Sequence, residues 1–257
     1  MQTVVITGGS GSIGQGIARL LLANRYYVIL IGRNRSRLDK SRTELIALTK
    51  NNNVDTYAID ITEEEDVERG LAEIWQARPF EALVNAAGVG EPVDFFDATD
   101  DDWQASVQSK LLGTTKVIKE AGKLMALHRR PGKMVVINGT FCYDPHPDFI
   151  INSTVNAALA GFTKAASKYL GERGICLNVI NPWVTDSASW QNTVEHLAKS
   201  YAMSADELNS KFRQMNPLKR FTKTEDIGNA VLFLLGEGAG YINGASINLD
   251  GGVSTGY

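Results

Sequence analysis

Short β-branched runs alternate with longer helix-like segments along the whole chain, and this alternation is the strongest constraint on the fold. The apolar runs cover residues 3–7, 26–32, 54–59, 82–85, 133–138, 176–181 and 246–249. They do not alternate with polar residues, which is typical of strands covered on both faces. The pattern predicts an α/β fold, a single doubly wound, Rossmann-type parallel sheet with helices on both faces. No linker or internal repeat divides the chain, so one domain over 1–257 is expected.

Four of the intervening segments begin with a hydroxyl residue that an acid follows three positions later. These residues are Thr62, Thr99, Ser204 and Thr222. A hydroxyl at the N-cap and an acid at the third helical position can satisfy each other's free backbone N–H groups. The pattern therefore predicts a helix start at each of the four positions.

Composition and charge exclude several classes of protein. The 26 basic and 29 acidic residues are mixed along the chain, so no basic face for nucleic acid is expected. No apolar run approaches the roughly 20 residues that cross a bilayer, and no membrane partner is expected. Two cysteines and three histidines are too few for a disulfide framework or a metal site. The first residues lack a secretory signal pattern, which favours a cytoplasmic protein.

A glycine-rich segment follows the first apolar run and opens a helix. It comprises Gly8, Gly9, Ser10, Gly11, Ser12, Ile13 and Gly14. Glycines in this context allow a tight turn and a close backbone approach, and the helix N-terminus then faces an anionic pyrophosphate. A plain structural turn is the alternative. The position between strand and helix favours a dinucleotide site.

The end of the second run indicates which dinucleotide binds. A site for NAD usually has Asp or Glu there to bind the ribose hydroxyl, whereas this chain has Gly32, Arg33 and Asn34. Arg33 can form a fork with a 2′-phosphate and stack on adenine. The alternative is that Arg33 is only a solvated loop charge. The sequence therefore favours NADP(H).

At this point the chain resembles the short-chain dehydrogenase/reductase family over almost its whole length. The matching segments are 7–14, 60–61, 84–88, 174–178, 181–182 and 217–252. The resemblance implies an adenine site at Asp60 and Ile61. It also implies that Val184 contacts the nicotinamide and that Ser187 contacts the cofactor phosphate. Four further residues would support the central sheet and the adenosine ribose: Asn85, Ala86, Ala87 and Gly88.

The catalytic positions depart from the family, which uses Ser, Tyr, Lys and an Asn on the preceding helix. Aligning 156–163 with the family pattern puts Asn156 in the Lys position and Asn152 in the Tyr position. The Ser position falls on Gly139, with Thr140 adjacent, and Lys110 stands in the Asn position. No Tyr-x-x-x-Lys occurs between Gly139 and Gly161.

Three interpretations of this departure stay open. In the first the site is rebuilt, with Lys110 as the cation and Tyr143 or His146 as the proton donor. In the second the substrate is an iminium or another activated molecule, which Thr140, Asn152 and Asn156 orient. In the third the protein binds the dinucleotide without redox turnover, or has become a non-redox enzyme. An NADP(H)-dependent oxidoreductase with a non-standard active site is the leading expectation.

The remaining expectations concern the substrate and the assembly. A helical lid at about 184–215 would cover a small-molecule substrate, and Trp183 and Trp190 would either line its pocket or pack the lid on the core. The helices that start near Asp101 and Ser153 would pair across a two-fold axis. The small residues of 157–161 favour such close approach, so a homodimer or homotetramer is expected.

Overall fold

The computed structural model describes residues 1–88, 90 and 92–255 and contains one seven-stranded parallel sheet. The strands are β1 (Thr3–Thr7), β2 (Tyr27–Gly32), β3 (Val54–Ala58), β4 (Ala82–Asn85), β5 (Gly132–Ile137), β6 (Ile175–Pro182) and β7 (Ser246–Leu249). Their order in the sheet is β3-β2-β1-β4-β5-β6-β7. The predicted fold class is confirmed, three strands have the predicted bounds, and the other four differ by one residue at one or both ends.

Helices cover both faces of the sheet. They are α1 (Ser12–Ala23), α2 (Arg35–Thr49), α3 (Glu64–Ala77), α4 (Asp100–Ser106), α5 (Gly113–Leu127), α6 (Ile150–Gly171), α7 (Ala188–Ser200), α8 (Ala205–Met215) and α9 (Thr224–Leu235). A π-helical turn, Val107–Leu112, joins α4 to α5. In the described part of the chain, no helix is long and apolar enough to cross a membrane.

Each central strand contributes side chains to two hydrophobic cores, one on each face of the sheet, because successive side chains point to opposite faces. In β1, Val5 packs with Val117 of α5 and Leu159 of α6, whereas Val4 and Ile6 belong to the core under α1, α2 and α9. Both cores are fully buried, which explains the continuous apolar runs. A third cluster holds α7 and α8, in the segment expected to form the lid, around Trp190 and Phe212.

Two of the four predicted helix starts are confirmed. Thr99 and Ser204 form capping boxes with Asp102 and Glu207. Thr62 instead donates its hydroxyl to Asp60, and α3 begins two residues later. The Thr222 hydroxyl donates to the carbonyl of Leu249 in β7, and α9 begins at Thr224. At Thr62 a local hydrogen bond to Asp60 replaces the cap, whereas at Thr222 a tertiary hydrogen bond to β7 does so.

A buried hydrogen-bond chain ties β1, β4 and α5 together at the carboxyl edge of the sheet. The Thr7 hydroxyl donates to Asn85 Oδ1 (2.7 Å), and Asn85 Nδ2 donates to the Thr114 hydroxyl (2.7 Å). All three residues are fully buried. These hydrogen bonds therefore fix the ends of β1 and β4 against α5. Lys110 lies in the π-helical turn directly before α5.

We expect Thr7→Val to lower the free energy of unfolding by about 1–3 kcal/mol, because Asn85 Oδ1 loses its buried donor while the side-chain shape is kept. Urea denaturation measures this change. Thr43→Val is the matched control, since the exposed Thr43 hydroxyl bonds only within α2 to Asp39, and it should shift stability by less than about 0.5 kcal/mol. Equal losses in the two variants would contradict the assigned role.

Candidate functional site

The glycine loop after β1 forms a tight turn that only glycine fits. Gly8 has φ +66°, and a Cβ there would lie 2.6 Å from the carbonyl oxygen of Ala86. A Cβ at Gly14 would lie 2.4 Å from the carbonyl oxygen of Gly8. No side chain caps the start of α1 at Ser12, and its first turn carries no acid. The free backbone N–H groups of this helix therefore offer a site for an anion.

A cavity of about 720 Å³ opens beside this loop at the carboxyl ends of β1, β2 and β4. Ten of the predicted cofactor residues line it: Gly8, Ser10, Gly11, Arg33, Asn34, Asp60, Ile61, Ala86, Ala87 and Gly88. Ser12 and Gly14 lie behind it at the start of α1, and Asn85 belongs to the buried hydrogen-bond chain. The cavity has the place and size expected of a dinucleotide site in a doubly wound fold.

The outer end of this cavity is positively charged. Arg33 and Arg37 are exposed there, and among the described residues neither guanidinium forms an ion pair or a hydrogen bond. The Asp60 carboxylate accepts from the backbone N–H and hydroxyl of Thr62. Asn34 caps α2, which places Arg37 on its first turn. The sequence interpretation missed Arg37, which lines the cavity because α2 begins at Arg35, directly after the loop that carries Arg33.

A second cavity of about 180 Å³ lies beyond the first, under α7. Ile13, Val184 and Ser187, expected to bind cofactor, line this cavity, as do Thr140, Asn152 and Asn156. Trp183 and Trp190 also line it with Phe141 and Phe149. None of its described lining residues is Asp, Glu, Lys, Arg or His. The cavity is therefore aromatic and polar but carries no charge of its own.

Lys110 is buried beneath the chain segment that connects the linings of the two cavities, and it is not itself among the described lining residues of either. It lies in the π-helical turn, is 6% exposed, and donates from Nζ to Asn152 Oδ1 at 3.0 Å. A Cβ at Gly88, which lines the first cavity, would lie 2.8 Å from Lys110 Cγ, and one at Gly90, in the second, would lie 2.4 Å from Asn152 Cγ. The glycines on the chain segment after β4 thus allow Lys110 and Asn152 to meet beneath it.

Burial lowers the pKa of Lys110 from 10.5 to about 8. Desolvation is the cause, because removing an ammonium from water disfavours its charged form. The neighbouring Cys142 acts weakly in the opposite direction, and burial raises the pKa of its own thiol to about 11. Lys110 is therefore an ammonium at neutral pH that can release its proton within the physiological range.

Gly139 makes room for the side chain of Asn156. A Cβ at Gly139 would lie 2.8 Å from Asn156 Nδ2. Asn138 donates from Nδ2 to the carbonyl of Asn156 (3.1 Å) and to Asn181 Oδ1 (3.2 Å). Thr140 begins the short helical turn after β5 and is buried. The structure thus brings together Lys110, Thr140, Asn152 and Asn156.

The structure does not bring Tyr143 and His146 to this cavity. Tyr143 lines a separate depression between α6 and β7, beside Lys164. The His146 ring packs against Phe141, Phe149 and Phe212, and its Nδ1 accepts from the backbone N–H of Asp148. The helical turn at 140–142 directs the following residues away from the cleft, so the geometry does not support either side chain as the proton donor.

Comparison with known proteins gives consistent matches over the full length. The model of the family described as enoyl-(acyl carrier protein) reductase matches residues 8–254. The chain is 30% identical to the 3-oxoacyl-[acyl-carrier-protein] reductase FabG of Rickettsia felis, over 98% of this chain and 96% of the relative. It is 26% identical to the NADPH-dependent reductase BacG of Bacillus subtilis, over 98% and 97%.

Solved structures share the fold. Actinorhodin polyketide ketoreductase, solved as a variant with NADPH, superposes with a TM-score of 0.93 at 24% identity and covers 99% of this chain and 97% of its own. ElxO with NADP bound has a TM-score of 0.87 at 26% identity, with 98% of both chains covered. The match to the family model, together with the similarity to these relatives, shows that the chain belongs to the short-chain dehydrogenase/reductase family.

Proposed function

We propose that this chain is an NADP(H)-dependent oxidoreductase with a non-standard active site, acting on a small uncharged molecule. Two adjoining cavities, one with a phosphate cradle and one lined by aromatic and amide side chains, support the proposal. The relatives named as NADPH-dependent reductases and the neighbours with NADP or NADPH agree with it. The observation that carries the non-standard site is the 3.0 Å contact between Lys110 Nζ and Asn152 Oδ1.

The residues of the first cavity fit the cofactor. The uncapped start of α1, with Gly8 and Gly11, would hold the pyrophosphate, and Asp60 and Ile61 would flank the adenine. Arg33 and Arg37 would hold the 2′-phosphate, since no carboxylate follows β2 to bind a ribose hydroxyl. When bound, NADPH supplies a hydride.

We expect Arg33→Ala and Arg37→Ala each to weaken NADPH binding by about tenfold or more, because each removes a charge-assisted hydrogen bond. NADH binding should stay unchanged. Isothermal titration with both dinucleotides measures this. Arg35→Ala is the control, since that guanidinium donates to the carbonyl of Thr56 and does not line the cavity. Equal or tighter NADH binding by the unaltered protein would disprove the phosphate site.

The proposed active site keeps a lysine but takes it from another helix. By the family pattern Asn156 stands where a lysine is usual and Asn152 where a tyrosine is usual. Both are on the first turns of α6, whereas Lys110 enters from the π-helical turn opposite. Its ammonium contacts Asn152, so a cation lies beside the residue in the Tyr position. The described lining residues of the second cavity include no carboxylate that could neutralise this charge.

Lys110 would supply the proton that reduction of a carbonyl requires. As negative charge develops on the substrate oxygen, the ammonium donates a proton to it and becomes a neutral amine. Water then returns a proton to the amine. A donor with a pKa near 8 suits general acid catalysis at neutral pH. Asn152 positions the ammonium, and Thr140 and Asn156 would orient the substrate.

This charge distribution bears on the substrate class. An iminium carries a permanent positive charge, which the Lys110 ammonium would repel and no lining carboxylate would balance. A neutral imine can instead receive a proton from Lys110, as a ketone or an enone can. The site therefore favours a neutral carbonyl compound or a neutral imine.

We expect Lys110→Met to lower turnover by about 10²–10⁴-fold while NADPH affinity stays unchanged. NADPH oxidation against a panel of ketones, enones and cyclic imines measures turnover. Lys168→Met, at an exposed position far along α6, should change neither quantity. Unchanged turnover in the Lys110 variant would exclude a functional cation, and cofactor binding without turnover of any panel member would favour a binding protein.

The same lysine predicts two pH dependences of opposite sign. Turnover should fall as pH rises through about 8, because the ammonium loses its proton. Stability should move the other way: the unfolded chain holds this proton more strongly, so the folded state gains stability between about pH 8 and 10.5. Lys110→Met carries no such proton, so its stability should rise less over this range, and urea unfolding of both proteins at about pH 7 and about pH 10 checks this.

We also propose a homodimer or homotetramer built on α6. Ala157, Ala158 and Gly161 form an exposed face, and a Cβ at Gly161 would meet nothing within 4 Å. An apolar groove of about 640 Å³ lies beside this face, between α5 and α6. Small side chains let two helices approach closely.

For this assembly we expect light scattering to give two or four times the 28.0 kDa chain mass for the unaltered protein. Ala158→Arg should lower that mass, because a long charged side chain would separate the paired helices. A monomeric unaltered protein would contradict the proposal.

A further inference from the structure

Three neighbouring strands carry the dipeptide Ile-Asn at or just beyond their carboxyl ends. The dipeptide occupies 137–138 at the end of β5, 180–181 in β6 and 247–248 in β7. The strand register pairs Ile137 with Ile180 and Asn181 with Asn248, so the three asparagines form one row across the sheet. Ile137 and Ile180 belong to the core under α1, α2 and α9, and the asparagines therefore point to the opposite face, toward α6.

The side chains of this asparagine row (Asn138, Asn181 and Asn248) are hydrogen-bonded head to tail. Asn138 Nδ2 donates to Asn181 Oδ1 at 3.2 Å, and Asn181 Nδ2 donates to Asn248 Oδ1 at 3.2 Å. Asn248 Nδ2 donates to the Ser254 hydroxyl at 3.3 Å, and that hydroxyl donates to the Asp250 carboxylate. Each bond thus points in the same direction, toward an anion. Hydrogen bonds aligned in this way polarise and strengthen one another.

Asp250 is the fixed end of the row. Its buried carboxylate also accepts from the backbone N–H groups of Gly252 (2.9 Å) and Ser254 (3.0 Å). Burial alone would raise the pKa of Asp250, but the hydrogen bonds from Ser254 and Gly252 lower it below its usual value. The Thr255 N–H donates to the Asp144 carboxylate at 3.4 Å, which ties the 250–255 segment to the loop after β5.

The other end of the row holds two elements of the second cavity's wall. Asn138 Nδ2 also donates to the carbonyl of Asn156 in the first turns of α6, at 3.1 Å. The Cys142 thiol donates to Asn181 Oδ1 at 3.5 Å, and Cys142 ends the helical turn at 140–142. The two elements contribute these residues to the cavity lining: Thr140, Phe141, Asn152 and Asn156. One network therefore connects both wall elements to the 250–255 segment.

We propose that the asparagine row positions the walls of the second cavity from the 250–255 segment, with Asn181 and Asn248 as positioning residues. A helical turn and a helix start that share one buried network keep their separation. Thr140 and Asn152 thereby keep their places relative to Lys110. The proposal deepens the function proposed above and rests on it, since the cavity that the row shapes is the proposed active site.

Asn248→Leu breaks the row while nearly keeping the side-chain shape. We expect backbone hydrogen exchange at 140–142 and 150–156, measured by mass spectrometry without ligand, to become about tenfold faster. Asn178→Leu is the matched control, since that buried amide bonds the carbonyl of Ile242 and the N–H of Ala245 in the turn before β7. It should also lower the melting temperature but leave exchange at both wall elements within about twofold. Equal exchange at these elements in the two variants would overturn the proposal.

Turnover measures what the row does for the site. Asn248→Leu should lower kcat by about tenfold or more, because small displacements of positioned groups cost rate. Its NADPH affinity should stay within about threefold, since the phosphate and adenine sites lie in the first cavity. Asn178→Leu should change neither quantity by more than about twofold. An unchanged kcat in Asn248→Leu would overturn the positioning role. If exchange changes as expected but the unaltered protein reduces no panel member, the proposed oxidoreductase fails and the positioning of the walls stands.

Ser254 allows a milder test at the outer end of the row. It is half-buried, and its hydroxyl joins Asn248 to Asp250. Ser254→Ala should make exchange at both wall elements about threefold faster, with a smaller loss of melting temperature than in Asn248→Leu. Ser254→Thr keeps the hydroxyl and should exchange like the unaltered protein. Equal exchange in the alanine and threonine variants would show that the row does not act from the 250–255 segment, and would overturn the proposal.

Discussion

Burial of the sheet on both faces is the constraint from which the rest of this structure follows. Strands such as β1 place apolar side chains in both cores, so polar side chains are few along the central strands. Polar residues therefore gather where the strands end, at Thr7, Asn85, Asn138 and Asn181. Both cavities lie along this edge, where the loops that follow the strands present backbone and amide groups to a ligand.

Features that depend on local geometry could be predicted from the sequence. The glycine turn, the doubly wound class of the sheet and the charge of Arg33 beside the first cavity follow from residue types and their spacing. Where a distant partner decides, local rules gave a wrong result. Thr222 looks like a helix cap, but its hydroxyl bonds the carbonyl of Leu249 in β7. The position of Leu249 beside it is a property of the packed sheet.

The candidate site, too, could be predicted from the sequence only in part. The alignment with the family pattern identified Lys110 and Asn152, but spacing alone could not reveal that Nζ and Oδ1 meet across two elements. The position of the Asn156 side chain depends on Gly139, where a Cβ would lie 2.8 Å from Nδ2. Tyr143 lies close to Thr140 in sequence, yet one helical turn between them directs it to another surface.

The π-helical turn at Val107–Leu112 has a consequence for how such sites change over time. A π-helical turn holds one residue more than an α-helical turn, and inserting a residue into a regular helix is the shortest route to one. Each residue of a regular helix advances by about 100° around the axis, so an insertion changes which side chain faces a cleft. A chain with this fold can thus exchange a residue in its active site through a change of length, while every neighbouring codon stays the same.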